Sequence, residues 1–161
     1  MDCPLIREAK IEDVSFIVDM IRSGSREGAF HRAPSQTLST EEQMRGFRKY
    51  AFEDRPNGYA ILIYQIGDAI AGYVDYQVEK GVARILGIFV YKTRRRRGIG
   101  KELMERILND LTKKGCHKVR LKVFSENRGA LEFYRNLGFS REGFLHKDED
   151  KKDIFIVGKL L

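Results

Sequence analysis

The segment Tyr91–Met104, YKTRRRRGIGKELM, sets four consecutive arginines, Arg94 to Arg97, directly before Gly98-Ile99-Gly100 and an apolar, helix-like run. Arginine brings a fixed positive charge and a fork of N–H donors. Glycines at a helix start let an anion approach main-chain N–H groups that have no intrahelical partner, where the helix dipole adds partial positive charge. Arg95, Arg96, Arg97, Gly98, Ile99, Gly100 and Lys101 therefore form a candidate phosphate or pyrophosphate site. Two other phosphate motifs do not fit. A Walker A loop requires glycine where Arg95 stands and Ser or Thr where Glu102 stands, and a dinucleotide fingerprint requires a third glycine at Leu103. The pattern that fits is R-x-x-G-x-G, Arg95 to Gly100. A nucleic-acid patch or a targeting signal also uses a basic run, but neither needs two glycines at a helix start.

The elements that position this loop follow from periodicity. PLIREAK reads as a short strand. Val14, Ile17, Val18 and Ile21 have the i, i+3, i+4, i+7 spacing of one helix face. A second helix begins at STEEQMRGF, where Ser39 with Glu42, or Thr40 with Gln43, makes a capping box, and Met44, Phe47 and Ala51 supply its apolar face. GYAILIYQI, AIAGYVDYQV and VARILGIFVY are rich in β-branched and aromatic residues and are joined at Gly67-Asp68 and Lys80-Gly81, which predicts a three-strand meander. After the arginines, Ile99, Leu103, Ile107, Leu108 and Leu111 mark a long helix that stops near Gly115. A strand (HKVRLKVF), a helix (NRGALEFYRNLGF) and two closing strands follow. The order β-αα-βββ-α-β-α-ββ predicts a mixed α/β fold of the α+β type in one domain spanning 1–161, with seven strands and about four helices.

With both elements and motif in place, the chain resembles the GNAT superfamily of acetyl-CoA-dependent N-acetyltransferases. RRRGIG matches the family's R/Q-x-x-G-x-G/A signature between a strand and a helix. Val123, Asn127, Ala130, Tyr134 and Gly138-Phe139 match its next motif, V-x-x-x-N-x-x-A-x-x-x-Y-x-x-x-G-F. The detailed match covers about Ile85–Phe139, and the element order agrees throughout. The resemblance implies a mostly antiparallel sheet, acetyl-CoA in the cleft where two strands splay, and direct acetyl transfer to an amine through a tetrahedral intermediate.

The same resemblance assigns tasks to residues. The loop Arg95–Lys101 would hold the pyrophosphate, with Asn127 and Ala130 also contacting the cofactor. The N–H groups of Ile88, Phe89 and Val90 would bond the pantetheine arm and the thioester oxygen; Gly87, inside that strand, suggests a bulge that frees them. Tyr134 matches the general acid for the thiolate. An attacking lysine amine must lose a proton at a cost of about 4.6 kcal/mol at pH 7, an α-amine about 1.4 kcal/mol. Many members place a glutamate base where this chain has Arg84. Asp75, which shares a strand face with Tyr73 and with the Gln77 that a tight Lys80-Gly81 hairpin sets opposite Arg84, is the candidate base in its stead. A salt bridge from Asp75 to Arg84, a solvated strand carboxylate at Asp75, or an acceptor carboxylate held by Arg84 is an alternative use of those charges, and proton loss through water is a further alternative. Glu27, Phe30 and His31 fall where the family builds acceptor specificity, and the acidic residues of HKDEDKKD read as a solvated turn.

Composition bounds the rest. Over 161 residues, 42% are hydrophobic and 33% charged, which suits a globular domain, and a net charge of +7 favours anionic partners without choosing among them. Cys3 and Cys116 form no CxxC, so neither a zinc site nor a disulfide framework is expected. The N-terminus lacks the layout of a signal peptide and no apolar run is long enough to span a membrane, so a soluble, cytoplasmic protein is expected. The expected function is an acetyl-CoA-dependent N-acetyltransferase acting on a primary amine of a protein N-terminus, lysine, small amine or amino acid, without metal and with a homodimer as a further expectation. A non-catalytic CoA-binding regulatory domain and a basic nucleic-acid-binding module are the alternatives.

Overall fold

The structure, a computed structural model, describes residues 3–29 and 38–161. Seven strands form one sheet in the order β1-β2-β3-β4-β5-β7-β6. In chain order they are β1 (Pro4–Glu8), β2 (Tyr59–Ile66), β3 (Ala69–Glu79), β4 (Val82–Val90), β5 (Lys118–Phe124), β6 (Ser140–Leu145) and β7 (Ile154–Leu160). The helices are α1 (Val14–Arg26), α2 (Thr40–Arg48), α3 (Ile99–Lys113) and α4 (Arg128–Asn136). This is the element order expected from periodicity, and every strand pairing is antiparallel except β4 with β5.

Local chemistry explains the turns and caps. Lys80 and Gly81 both have left-handed backbones (φ 51° and 77°), the geometry whose twist suits a two-residue hairpin. The tight turn sets Gln77 opposite Arg84, and Arg84 Nη2 donates to Gln77 Oε1 at 3.1 Å. At α2 the capping box is Ser39 with Glu42: the Glu42 N–H donates to Ser39 Oγ at 3.2 Å and the Ser39 N–H to Glu42 Oε2 at 2.7 Å. Ahead of α1, Asp13 accepts from Arg7 Nη1 and Nη2 (2.8 and 3.0 Å) and from the Lys10 N–H (2.7 Å), tying β1 to the helix entrance. Burial would raise the Asp13 carboxyl, but these donors outweigh it and hold it below the ordinary carboxylate range.

The sheet has an apolar cluster on each face. Ile17 and Met20 of α1 and Ala51, just after α2, pack with Ile61, Ile63, Tyr73 and Phe89 on one face. On the other, Leu103, Ile107 and Leu111 of α3 and Tyr134 of α4 pack with Leu62, Val74, Tyr76, Ile85 and Val123. Two irregularities break the regular ladder around β4. The β3–β4 register shifts so that Asp75 faces Gly87 while Tyr76 faces Ile85, leaving Leu86 as the extra residue of a bulge next to Gly87. And β4 pairs with β5 only from Val82–Lys118 to Arg84–Arg120. Beyond Arg84 the two strands part.

Candidate active site

The cleft opens where β4 leaves β5. Tyr91 donates its N–H to the Ala71 carbonyl, so alternation along β4 turns the Phe89 N–H toward β3 and the N–H groups of Ile88 and Val90 toward the gap. Of the three amides expected to serve a ligand, two therefore face the opening and the third belongs to the sheet. The Phe89 side chain lies in the α1-side cluster, while Ile88 and Val90 pack toward α3.

Next along the chain the loop turns sharply. Arg96 and Gly98 both have left-handed backbones (φ 61° and 81°), and Gly98 is the N-cap of α3. The first bond of the helix runs from the Glu102 N–H to the Gly98 carbonyl (2.9 Å), so the N–H groups of Ile99, Gly100 and Lys101 point out of the helix start without intrahelical acceptors. Gly100 needs no special backbone. A methyl there would rest 3.4 Å from the Phe133 ring of α4, an ordinary contact, so the packing of α3 against α4 does not itself demand glycine.

These parts meet in one cavity of about 1040 Å³, walled by Ile88, Phe89 and Val90 of β4, Arg94, Arg95, Arg96, Gly98, Ile99, Gly100 and Lys101 of the loop and helix start, and Asn127, Ala130 and Phe133 at α4. Asn127 is the N-cap of α4, its Oδ1 accepting from the Ala130 N–H at 3.1 Å; it caps the helix and faces the cleft at once. Cationic side chains outnumber carboxylates on the walls, Arg94, Arg95, Arg96, Lys101 and Lys152 against Glu27, Glu126 and Glu132. The space and the donors suit a long, phosphate-bearing ligand. Among the described residues no group of three or more His, Cys, Asp or Glu could hold a metal, and no helix is long and apolar enough to cross a membrane.

Three predicted residues do not line this cavity. Arg97 is exposed and lies off its walls. Tyr134 lies in the core at 4% exposure, with ring centroids 5.2 Å from Phe133 and 5.5 Å from Phe139, and it borders a neighbouring hollow between α4 and β6–β7. Burial pushes its phenol well above the ordinary tyrosine range. Asp75 is 3% exposed and accepts a hydrogen bond from Tyr59 Oη at 2.9 Å, beside the β4 bulge on the α1 side of the sheet. The Arg84 guanidinium is engaged by Gln77. Phe30 and His31 lie outside the described residues, whereas Glu27 is on the cavity wall.

The acidic residues of the closing hairpin lie at the surface, as in the solvated turn read from its charges, and three of them are ion-paired. Asp148 and Glu149 pair with Lys122 (3.2 and 2.8 Å), Asp153 pairs with His146 (3.0 Å), and Lys152 reaches the cavity with Nζ 4.9 Å from the Phe124 ring centroid. Lys152, Phe133 and Glu126 are wall residues that the motifs do not single out. Only Phe133 carries a signal, its place on the apolar face of α4.

The arrangement has known counterparts. A profile of the acetyltransferase (GNAT) family matches residues 26–139. The thialysine N-epsilon-acetyltransferase of Bos taurus is 29% identical over 149 residues, 83% of this chain and 82% of that one. The ribosomal protein bS18-alanine N-acetyltransferase of Salmonella typhimurium is 29% identical over 92 residues, 57% of this chain and 62% of its own length. Among solved structures, the spermidine N-acetyltransferase of Vibrio cholerae in complex with CoA and spermine superimposes with a TM-score of 0.81 at 20% identity, covering 98% of this chain and 95% of that one.

Proposed function

The chain belongs to the GNAT acetyltransferase family, and from that premise we propose that it transfers acetyl from acetyl-CoA directly to a primary amine. The carrying observation is the junction of an open strand edge, Ile88 to Val90, with the glycine-opened start of α3 in a single cavity. Relatives named for an N-epsilon-amine of thialysine and for an alanine of a ribosomal protein support an amine acceptor in general.

Residues of the chain divide the work. The N–H groups of Ile99, Gly100 and Lys101, with Arg96 and Lys152, hold the phosphates at the positive end of α3. Acetyl-CoA supplies an activated acyl group and a thiolate leaving group. The Ile88 and Val90 N–H groups donate to a pantetheine carbonyl and to the thioester oxygen as negative charge develops on it; one such donor is worth roughly 10²–10³ in rate. The proton for the departing sulfur is assigned to Tyr134 on its match to the family motif, its ring lying behind the cavity wall 5.2 Å from that of the wall residue Phe133. Burial raises the Tyr134 phenol, which stays protonated at neutral pH and so has a proton to give. Asp75, directly or through water, takes the proton of the incoming ammonium from the α1 side of the sheet. Direct transfer is what the family resemblance implies, and it is supported by the placement of the cysteines, neither of which lines the cavity.

Release of CoA thiol from acetyl-CoA, measured across N-terminal peptides, lysine peptides, polyamines and free amino acids, tests the proposal. Turnover with one class identifies the acceptor. Absence of both turnover and CoA binding would refute it.

A further inference from the structure

Arg95 opens the R-x-x-G-x-G pattern, where a guanidinium is expected to reach for phosphate. The structure turns it the other way. Its Nε donates to the Val90 carbonyl at 2.8 Å, its Nη2 to Glu27 Oε2 at 2.6 Å, and its plane lies over the Phe89 ring with Cζ 5.0 Å from the centroid. Nε, Nη2 and the face of the guanidinium are thus all engaged within the protein. Glu27 directly follows α1, and Gly28 and Ala29 after it line the same cavity. A second tie lies at the other end of this segment, where Tyr91 Oη donates to Asp19 Oδ2 of α1 at 2.7 Å. The helix is thus fastened twice to the stretch that carries β4 into the loop.

A carboxylate on the wall of an anion site is unfavourable by itself. Glu27 stands there with its charge committed to Arg95. We propose that Glu27 is a positioning residue for cofactor binding: through Arg95 it brackets the end of β4 and the phosphate loop against α1, and Arg95 serves as that bracket instead of as a phosphate ligand. Filling the cavity and placing the end of α1 are therefore coupled. This inference rests on the reading of the cavity as an acetyl-CoA site.

The two roles predict opposite signs. As a bare wall charge, Glu27 repels phosphate, and removing it tightens CoA binding; as half of a bracket, removing it weakens binding. Lysine at Arg95 keeps the charge for a phosphate but cannot serve carbonyl, ring and carboxylate together. CoA titration calorimetry would be run on the wild type, Glu27→Gln, Arg95→Lys, Arg95→Gln and the Glu27→Gln/Arg95→Gln double variant, each across an ionic-strength series. The expected result is a loss of about two- to five-fold for Glu27→Gln, the size of a half-exposed ion pair. Arg95→Lys should lose as much as Arg95→Gln, and the double variant no more than Arg95→Gln alone. The salt dependence should match the wild type throughout, since no phosphate contact is lost. Tighter CoA binding by Glu27→Gln, additive losses in the double variant, or a shallower salt dependence in Arg95→Gln would overturn the bracket and leave the acetyl-CoA reading standing. A wild type that binds no CoA would overturn that reading itself.

Discussion

The two glycines of the helix start should respond to the same substitution in opposite ways. Gly98 has φ 81°, and a methyl built on it meets nothing closer than Glu102 Oε1 at 3.8 Å. Space is available, so the whole cost of Gly98→Ala is conformational, about 1–2 kcal/mol for an L-residue held in the left-handed region. In a domain of this size that lowers Tm by roughly 2–8 °C, at about 2–4 °C per kcal/mol. If the loop relaxes instead, the N–H groups of Ile99 and Gly100 re-aim, and CoA affinity falls by about tenfold for every 1.4 kcal/mol lost. Gly100 lies inside α3 without a left-handed backbone, and its added methyl would touch the Phe133 ring at 3.4 Å, an ordinary contact. Gly100→Ala gains helix propensity of about 0.5–1 kcal/mol and should leave Tm unchanged or raised by a few degrees. Thermal unfolding and CoA calorimetry on the two single variants decide it. A Gly98→Ala protein as stable and as CoA-competent as the wild type, or a Gly100→Ala protein that loses more stability than Gly98→Ala, would refute the reasoning.

Other variants probe the remaining assignments. Tyr134→Phe should lower kcat by about 10²-fold or more while CoA affinity stays within about twofold, and full activity would remove Tyr134 as the acid. Asp75→Asn should depress kcat/KM at neutral pH with partial recovery as pH rises and the amine deprotonates unaided; an unchanged pH profile would exclude Asp75 as the base. Asp13→Ala should cost about 2–3 kcal/mol at pH 7, because it strips a bidentate partner from Arg7, whose side chain is only 23% exposed. The Asp13 carboxyl is depressed in the fold, so its contribution is complete above the unfolded value near pH 4 and is lost as pH falls through the lower folded value. The stability gap between wild type and Asp13→Ala, followed by urea unfolding, should therefore close in acid; a gap that widens there would contradict the assignment.

What the sequence reveals and what it hides divide along physical lines. Features set by a few neighbouring residues are legible. The left-handed pair at Lys80-Gly81 fixes the β3–β4 register and so the Gln77–Arg84 contact, and the spacing of Ile99, Leu103, Ile107 and Leu111 fixes the buried face of α3. Gly87 points to the bulge, although the extra residue is Leu86, because glycine marks tolerance for a bulge and the pairing partner decides its place. Contacts that join distant segments are not legible. Arg95 meets Glu27 across 68 positions, a partnership that no local pattern announces. Lys152 enters the cavity because the closing hairpin folds over Phe124, whereas its sequence offers only a cluster of mixed charges. Tyr134 stands out in the sequence both as a helix-face aromatic and as a proton donor; its depth in the core follows from packing against Phe139, beyond the end of its own helix.

The short parallel seam between β4 and β5 has a consequence for the molecule's mechanics. With three register pairs from Val82 to Arg84, it is the weakest line across an otherwise continuously bonded sheet, and it divides a four-strand block (β1–β4) from a three-strand block (β5, β7, β6). A ligand that bonded to both edges of the opening would tie the two blocks together. Loading the cavity should then sharpen unfolding and slow amide exchange along the inner edges of β4 and β5 as occupancy rises.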